Sequence, residues 1–225
     1  MISKDSLKFL TDIKKNNNRE WFHANKPVYE PYKKDYQSLI SQFLAAMAPL
    51  DPSLKHLEIK DCQFRINRDI RFSNDKSPYK TNLAIWMSAG QKNTNLAGYY
   101  IHIEPGASFI AGGVYWPDAV DLKKIRKEIA FFHDDLQKIV VEKKFKSVFG
   151  ELDRSETNSL KTAPKGFEKD HPAIEFLKLK CFTATEKIDD AMLSDKDFVS
   201  KVSNKLIALK PLNEFLNRAL TSEES

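Results

Sequence analysis

Hydrophobic residues in the first quarter of the chain recur at three- and four-residue steps, a spacing typical of amphipathic helices. A stripe over Leu7–Ile13 predicts a short helix that ends at the asparagine run 16–18. A second stripe over Tyr32–Met47 predicts a longer helix with Pro31 in its first turn. The chain is therefore predicted to be helical up to about residue 50.

The period then changes to two, which is typical of β-strands. Apolar and polar side chains alternate over Phe64–Phe72, Leu83–Met87 and Tyr99–Ile103, and a fourth strand is predicted from Ser108 to about Tyr115. The short connections favour antiparallel pairing, because parallel strands need longer crossovers. The segment Ala173–Thr185 begins like a helix and ends like a strand, so both structures stay open there.

Helical spacing returns after the predicted sheet. We predict one α+β domain over residues 1–225, with an antiparallel sheet of four or five strands flanked by N- and C-terminal helices. In this prediction residues 1–50 are helical, residues from about 60 to 116 form the sheet, and residues 118–220 are mainly helical. The sequence shows no internal repeat and no linker long enough to divide the chain.

Composition supports one packed core and excludes wholesale disorder, because 41% of the 225 residues are hydrophobic and 11% are aromatic. Lys and Arg number 36 against 31 Asp and Glu, which gives a net charge of +5 without a basic arm. Charge alone therefore does not favour nucleic acid as a partner.

The cysteine and apolar patterns predict a cytoplasmic protein with no membrane partner. Cys62 and Cys181 fit no zinc, CxxC or disulfide-framework spacing. The N-terminus has no apolar signal core, and the longest apolar stretch, Phe43–Leu50, is too short to span a membrane. We expect no metal site.

The most unusual segment of the sequence is Lys60–Lys80, which contains six cations and three anions. One interpretation is a pocket for an anion, since guanidinium groups grip carboxylate or phosphate with two hydrogen bonds. The candidate binding cations are Arg65, Arg68, Arg71, Lys76 and Lys80. The other interpretation is internal: Asp69 and Asp75 pair with the arginines and fix the loop.

Tyr100, His102 and Glu104 share one face of the third predicted strand. If this strand neighbours the arginine strand, His102 approaches Asp69, and His102 with Asp69 or Glu104 is the candidate for proton transfer. The alternative is a solvated face or a histidine satisfied by its neighbours. Sheet order decides between them, and the sequence does not reveal it.

Further binding candidates lie elsewhere in the chain. Tyr79 or Trp116 would supply a stacking wall, and Lys165 and His171 lie on a polar loop of the kind that gathers binding residues. A turn held by Pro and Gly also explains that loop. The glycine pair 112–113 inside the fourth strand marks either a bulge or a close approach by backbone or ligand.

Four stretches of the sequence together resemble a known family, catalogued as domain of unknown function 2461, a set of conserved hypothetical proteins found mainly in bacteria. The stretches are Asn16–Phe22 with Asn25–Lys26, Arg68–Ser73 with Asp75–Thr81, Gly112–Tyr115 with Pro117, and Pro164–Gly166 with Asp170–Pro172. They span roughly residues 7 to 220. Ala111 stands where a third glycine is expected, which weakens a close-approach interpretation there.

The resemblance implies one domain of this length, no established activity and no catalytic residues to carry over. The family stretches coincide with the arginine segment, the loop after it, the double glycine and His171, which hints at one shared site.

Function is therefore predicted from the residues themselves. The first hypothesis is a protein that binds or processes a small anionic ligand, in particular a phosphorylated one. If the protein is an enzyme, hydrolysis or group transfer fits better than redox chemistry, because the chain has no GxGxxG motif or P-loop and no cofactor is identified. No GxSxG motif frames a serine nucleophile. The alternative is a non-catalytic protein-interaction module in which the Arg/Asp motif is structural. The third hypothesis is nucleic-acid binding, which requires one continuous basic stripe with exposed aromatic residues.

Overall fold

The computed structural model describes residues 2–90 and 94–222. It is an α+β structure in which helices flank an open antiparallel sheet with the strand order β1-β2-β3-β4, which confirms the predicted fold class. The strands are β1 (Leu83–Ser88), β2 (Gly98–Ile103), β3 (Phe109–Val114) and β4 (Phe182–Lys187). The α-helices are α1 (Lys4–Lys15), α2 (Arg19–Ala24), α3 (Lys26–Met47), α4 (Ile59–Cys62), α5 (Ala119–Phe131), α6 (His133–Val141), α7 (Lys143–Phe149), α8 (Ile174–Leu177), α9 (Asp190–Leu193), α10 (Phe198–Leu206) and α11 (Lys210–Thr221).

The chain divides into two compact units. Of the described residues, the first unit contains 2–87, 100–110 and 187–204. The second unit contains 88–90, 94–99, 111–186 and 205–222. The single-domain organisation predicted from the sequence stays a prediction.

Aromatic contacts join the helices in the core of the first unit. Phe9 of α1 is buried with its ring centroid 4.7 Å from that of Tyr32 on α3. Further along α3, Phe43 is fully buried and meets the buried ring of Phe198 edge-on at 5.8 Å. These contacts use the apolar stripes that the helical spacing predicts, and the Ser3 hydroxyl, which accepts a hydrogen bond from the Ser6 N–H, caps α1.

The second unit is built around α5 and α11, which pack against each other. Asp118 caps α5 by accepting hydrogen bonds from the backbone N–H groups of Val120 and Asp121. Buried Ile125 and Ile129 lie on its inner face, as the spacing predicts.

The strand predicted over Phe64–Phe72 is wrong: this segment makes one isolated antiparallel bridge, between Asn67 and Tyr79. The chain turns back after this segment, and the two arms pair through their backbones. The Arg68 N–H donates to the Pro78 carbonyl at 2.9 Å, and the Lys80 N–H donates to the Ile66 carbonyl at 2.8 Å. Carboxylates that accept nearby backbone N–H groups compete with a regular ladder, and Asp69 does so from Arg71. We call residues 64–80 the arginine loop.

Helix α3 begins at Lys26 and not, as predicted, at Pro31. Pro27 occupies the first turn, where its missing N–H is tolerated, and Pro31 lies inside the helix. Although α3 has 22 residues, neither it nor any other helix within residues 2–90 and 94–222 is long and apolar enough to cross a membrane.

Both glycines of β3 lie against the protein's own atoms. Gly113 has a φ of +109°, and a Cβ added there would lie 2.0 Å from the Phe182 carbonyl oxygen. A Cβ on Gly112 would lie 2.7 Å from the Gly98 carbonyl oxygen. The sequence leaves open whether the glycine pair marks a bulge or a close approach by backbone or ligand. In the structure, backbone carbonyl groups make the close approach.

We expect Gly113→Ala to lower the free energy of unfolding by about 2–5 kcal/mol, since it combines overpacking with a strained positive φ. Gly106→Ala is the matched control, because Gly106 also has a positive φ (+83°) but open space around it. The control should cost only about 1–2 kcal/mol. Thermal unfolding separates the two variants by several degrees. Equal losses would mean that the close approach to Phe182 is unimportant.

Candidate functional site

The first unit contains a cleft of about 290 Å³ between the arginine loop, β1 and β2. We call it the His102 cleft, and its walls include Phe64, Arg68, Lys80, Asn82, Tyr100 and His102. A neighbouring cleft of about 410 Å³ shares Arg68, Lys80 and Asn82 with it. Both clefts consist of residues of the first unit.

His102 uses both ring nitrogens in hydrogen bonds. Nε2 lies 3.3 Å from Glu104 Oε2, while Nδ1 lies 3.1 Å from the Tyr100 hydroxyl and 3.3 Å from Asn82 Nδ2. A carboxylate only accepts and an amide nitrogen only donates, so Nε2 carries the proton and Nδ1 accepts. The ring stacks on Phe109 with centroids 4.6 Å apart.

The protonation state of His102 follows from its burial. Burial lowers the pKa of His102, and the hydrogen bond and charge of Glu104 offset this effect only in part. At neutral pH the ring is therefore neutral, which is the form that can accept a proton.

Glu104 is held in place from two other elements. Its Oε1 accepts hydrogen bonds from Lys14 Nζ of α1 at 2.8 Å and from Thr81 Oγ1 at 3.2 Å. Burial raises the pKa of Glu104, but the hydrogen bonds from Lys14, His102 and Thr81 together bring it below its usual value. Glu104 is therefore an ionised group that fixes the orientation of His102.

Arg68 lines the cleft and is paired with the carboxylate of Asp75. Its Nη1 forms an ion pair with Asp75 and donates to the Ser77 carbonyl oxygen at 3.3 Å. Hydrogen bonds from Ser77 and from Arg68 lower the pKa of Asp75 to about 2. Arg68 therefore both fixes the arginine loop and contributes a cation to the cleft.

Lys80 contributes the second cation and lines both clefts. Its Nζ lies 4.9 Å from the centroid of the Phe64 ring, a cation–π distance. Tyr79 beside it is buried, and its ring stacks on Phe22 with centroids 4.1 Å apart. The ring proposed as a stacking wall for a ligand is thus stacked on the protein itself.

The other predicted cations of the arginine loop line neither cleft. Arg65 is exposed, and the 75% exposed side chain of Arg71 pairs with Asp69. That pairing lowers the pKa of Asp69 to about 2. Lys76 is exposed and donates from Nζ to the Ile70 carbonyl at 3.0 Å.

Asp69 lines the His102 cleft, but the hydrogen bonds of His102 go elsewhere. Of the two carboxylates considered for proton transfer with His102, the structure places Glu104 at hydrogen-bond distance. The bidentate pair of Asp69 with Arg71, at 3.0 and 2.6 Å, engages both its oxygens.

Trp116, Lys165 and His171 belong to the second unit, whereas the His102 cleft belongs to the first. Lys180 Nζ lies 5.9 Å from the Trp116 ring centroid, and Lys165 is exposed. His171 Nδ1 accepts a hydrogen bond from the Ala173 N–H at 3.0 Å, as expected of a turn held by its own side chain.

Sequence reasoning did not select Lys14 or Asn82 for the site. Asn82 directly precedes β1, where a polar residue at a strand end is an ordinary finding. Lys14 lies 90 residues from its partner Glu104, a separation at which no local pattern signals contact. Within residues 2–90 and 94–222, no three His, Cys, Asp or Glu side chains are grouped so that they could hold a metal ion.

We predict that His102 titrates below pH 6.5, its ordinary pKa, because burial disfavours the imidazolium. The unfolded chain then binds more protons than the native one between the native pKa and pH 6.5, so the free energy of unfolding rises with pH through that window. NMR titration of the His102 ring gives the pKa directly, and denaturant unfolding gives the slope, which His102→Gln should reduce.

Glu104→Gln serves as the control for this titration. Removing the carboxylate removes the group that raises the pKa of His102, so the midpoint should fall further. A wild-type midpoint at or above pH 6.5 would contradict the burial argument.

Comparison with known proteins identifies the family of this chain. The family model described as conserved hypothetical protein (DUF2461) matches residues 5–215 of the 225-residue chain. Neither a curated protein nor a solved structure matches the chain. The match confirms the resemblance carried by the four sequence stretches, and the chain belongs to the DUF2461 family of conserved hypothetical proteins.

Proposed function

We propose that this protein binds a small anionic ligand, in particular a phosphate ester, in the His102 cleft and processes it by hydrolysis or group transfer. The observation that carries the proposal is that one cleft is lined by two cations, Arg68 and Lys80, and by a histidine whose orientation a carboxylate fixes.

The cleft wall favours an anion. Arg68 and Lys80 supply positive charge, and Asn82 adds an amide that can donate hydrogen bonds. The carboxylate of Asp69 also lines the cleft, but Arg71 engages both its oxygens. At about 290 Å³ the cleft suits a small group, since ligand sites begin at about 300 Å³. The neighbouring cleft, which shares these three residues, offers room for the remainder of a larger ester.

Proton transfer is the chemistry that this wall supports. An imidazole acts as a general base in its neutral form, and His102 is neutral at pH 7 because burial lowers its pKa. An ionised carboxylate behind the imidazole stabilises the imidazolium that forms when a proton is taken up. Hydrolysis and group transfer both need such a step.

We expect phosphate or a phosphate monoester at about a hundred times its dissociation constant to stabilise the protein by about 2.7 kcal/mol. For a chain of this size that is a rise in Tm of roughly 5–11 °C. Lys80→Gln should abolish most of the rise. Differential scanning fluorimetry with phosphate, sulfate, phosphate monoesters and dicarboxylates tests this.

Lys76→Gln is the matched control, because it makes the same substitution at an exposed lysine of the same loop that lines neither cleft. It should keep the ligand-induced rise. A rise that survives in Lys80→Gln but disappears in Lys76→Gln would place the anion site elsewhere, and a flat panel would remove the support for an anionic ligand.

A second candidate function, a protein-interaction module, is favoured by Phe72. This side chain is 96% exposed at the tip of the arginine loop, beside the cation of Arg71. Water contact with a whole aromatic ring is unfavourable, so an exposed ring on a fixed loop suits contact with a partner protein. The Arg68–Asp75 and Arg71–Asp69 pairs would then hold the loop in shape.

For this second function, Phe72→Ser should change the free energy of unfolding by less than about 0.5 kcal/mol, as exposed sites do, and weaken partner binding at least about tenfold. Phe131→Ser is the control, since Phe131 is also exposed, at 79%. Photo-crosslinking from residue 72, followed by binding measurements with the captured partner, tests the idea. Equal binding by both variants would contradict it.

A further inference from the structure

We infer that Tyr100 is the nucleophile of the His102 cleft: its hydroxyl attacks the phosphorus of a bound phosphate ester while His102 takes its proton. This inference rests on the proposed function and deepens it by naming the reacting residue and the substrate class.

The first argument is that Tyr100 places an acidic proton next to the accepting nitrogen of His102. Nε2 faces the Glu104 carboxylate at 3.3 Å, and Nδ1 faces the Tyr100 hydroxyl and the Asn82 amide. Of these two groups at Nδ1, only the phenol has a proton acidic enough to give up. Tyr100 lines the same cleft as His102, so a ligand bound there would lie beside the hydroxyl that His102 can deprotonate.

The second argument is the order of the groups. Carboxylate, imidazole and hydroxyl follow one another from Glu104 through His102 to Tyr100, which is the order that activates a nucleophile in covalent catalysis. Lys14 and Thr81 hold the carboxylate end. Phe109 stacks on the imidazole and lies 5.7 Å from the Tyr100 ring, so it packs against both members of the relay.

The third argument is charge. Attack on a phosphate ester builds negative charge on the phosphoryl oxygens, and preoriented cations stabilise that charge. Arg68 and Lys80 line the same cleft as Tyr100. Arg68 is already oriented by Asp75 and Ser77, so its ordering costs little when the ligand binds.

The reaction then balances in two steps. Tyr100 Oη forms a bond to phosphorus, the bond from phosphorus to the leaving oxygen breaks, and the phenol proton passes to His102 Nδ1 and on to the leaving alkoxide. In the second step water attacks the phosphotyrosine, His102 takes a proton from the water, and the phenolate leaves and recovers that proton. The products are an alcohol and inorganic phosphate.

A labelling experiment tests the inference without a known substrate. The probe is 4-(fluorosulfonyl)benzoate, an anionic aryl sulfonyl fluoride: the attacking phenol forms an O–S bond, the S–F bond breaks, and fluoride leaves while the proton passes to His102. Peptide mass mapping then gives the labelling rate of each tyrosine.

We expect Tyr100 to be labelled about 100-fold faster than Tyr115, the 75% exposed tyrosine that serves as internal control, because a positioned base contributes at least about that factor. His102→Gln should remove most of the advantage, and Glu104→Gln should reduce it, with folding checked by thermal unfolding. Inorganic phosphate should protect Tyr100. Labelling that favours Lys80 or His102, or that persists at the wild-type rate in folded His102→Gln, overturns the inference.

The two proposals fail in different ways. If phosphate raises the Tm through Lys80 but Tyr100 is labelled no faster than Tyr115, the cleft binds anions and Tyr100 is not its nucleophile. If Tyr100 is labelled fast but Lys80→Gln leaves the phosphate effect unchanged, the proposed anion site is wrong. Tyr100→Phe should lose the label and keep the phosphate-induced rise.

Discussion

The hydrogen bond between His102 and Glu104 is the interaction on which the proposed chemistry of the cleft depends. A carboxylate can only accept, so this bond fixes the ring proton on Nε2 and leaves Nδ1 to accept from the cleft side. The Asn82 amide nitrogen, which can only donate, favours the same tautomer from the Nδ1 side. Lys14 and Thr81 hold Glu104 in turn, so groups on α1 and directly before β1 set the state of a residue on β2.

The same pair explains why a half-buried histidine and carboxylate can lie side by side at an acceptable cost. If both groups were charged, burial would remove the hydration of two charges. Because the imidazole is neutral, only the carboxylate loses the hydration of a charge. The pair becomes an ion pair only when His102 takes up a proton. An attraction that strengthens as the proton moves stabilises the transition state more than the ground state, which is the condition for catalysis.

Much of the fold could be predicted from the sequence, because β1, β2, β3 and most helices follow their hydrophobic period. The arginine loop could not, since its alternation imitates a strand while Asp69 and Asp75 bind nearby N–H groups and the chain turns back on itself. The segment Ala173–Thr185, which begins like a helix and ends like a strand, contains both elements, because α8 ends at Leu177 and β4 begins at Phe182. The face shared by Tyr100, His102 and Glu104 could be predicted, whereas the partner Lys14 depends on tertiary packing.

The sequence also sets two interpretations of the arginine motif against each other, an anion pocket and an internal ion-pair network, and the geometry makes them compatible. Arg71 pairs with Asp69 at the surface and is a structural cation. Arg68 pairs with Asp75 and still lines the cleft, and a guanidinium has five donors, more than one carboxylate can use. Its partner therefore lowers the entropic cost of binding an anion. The network that fixes the loop is thus the reason that Arg68 can act as a preoriented cation.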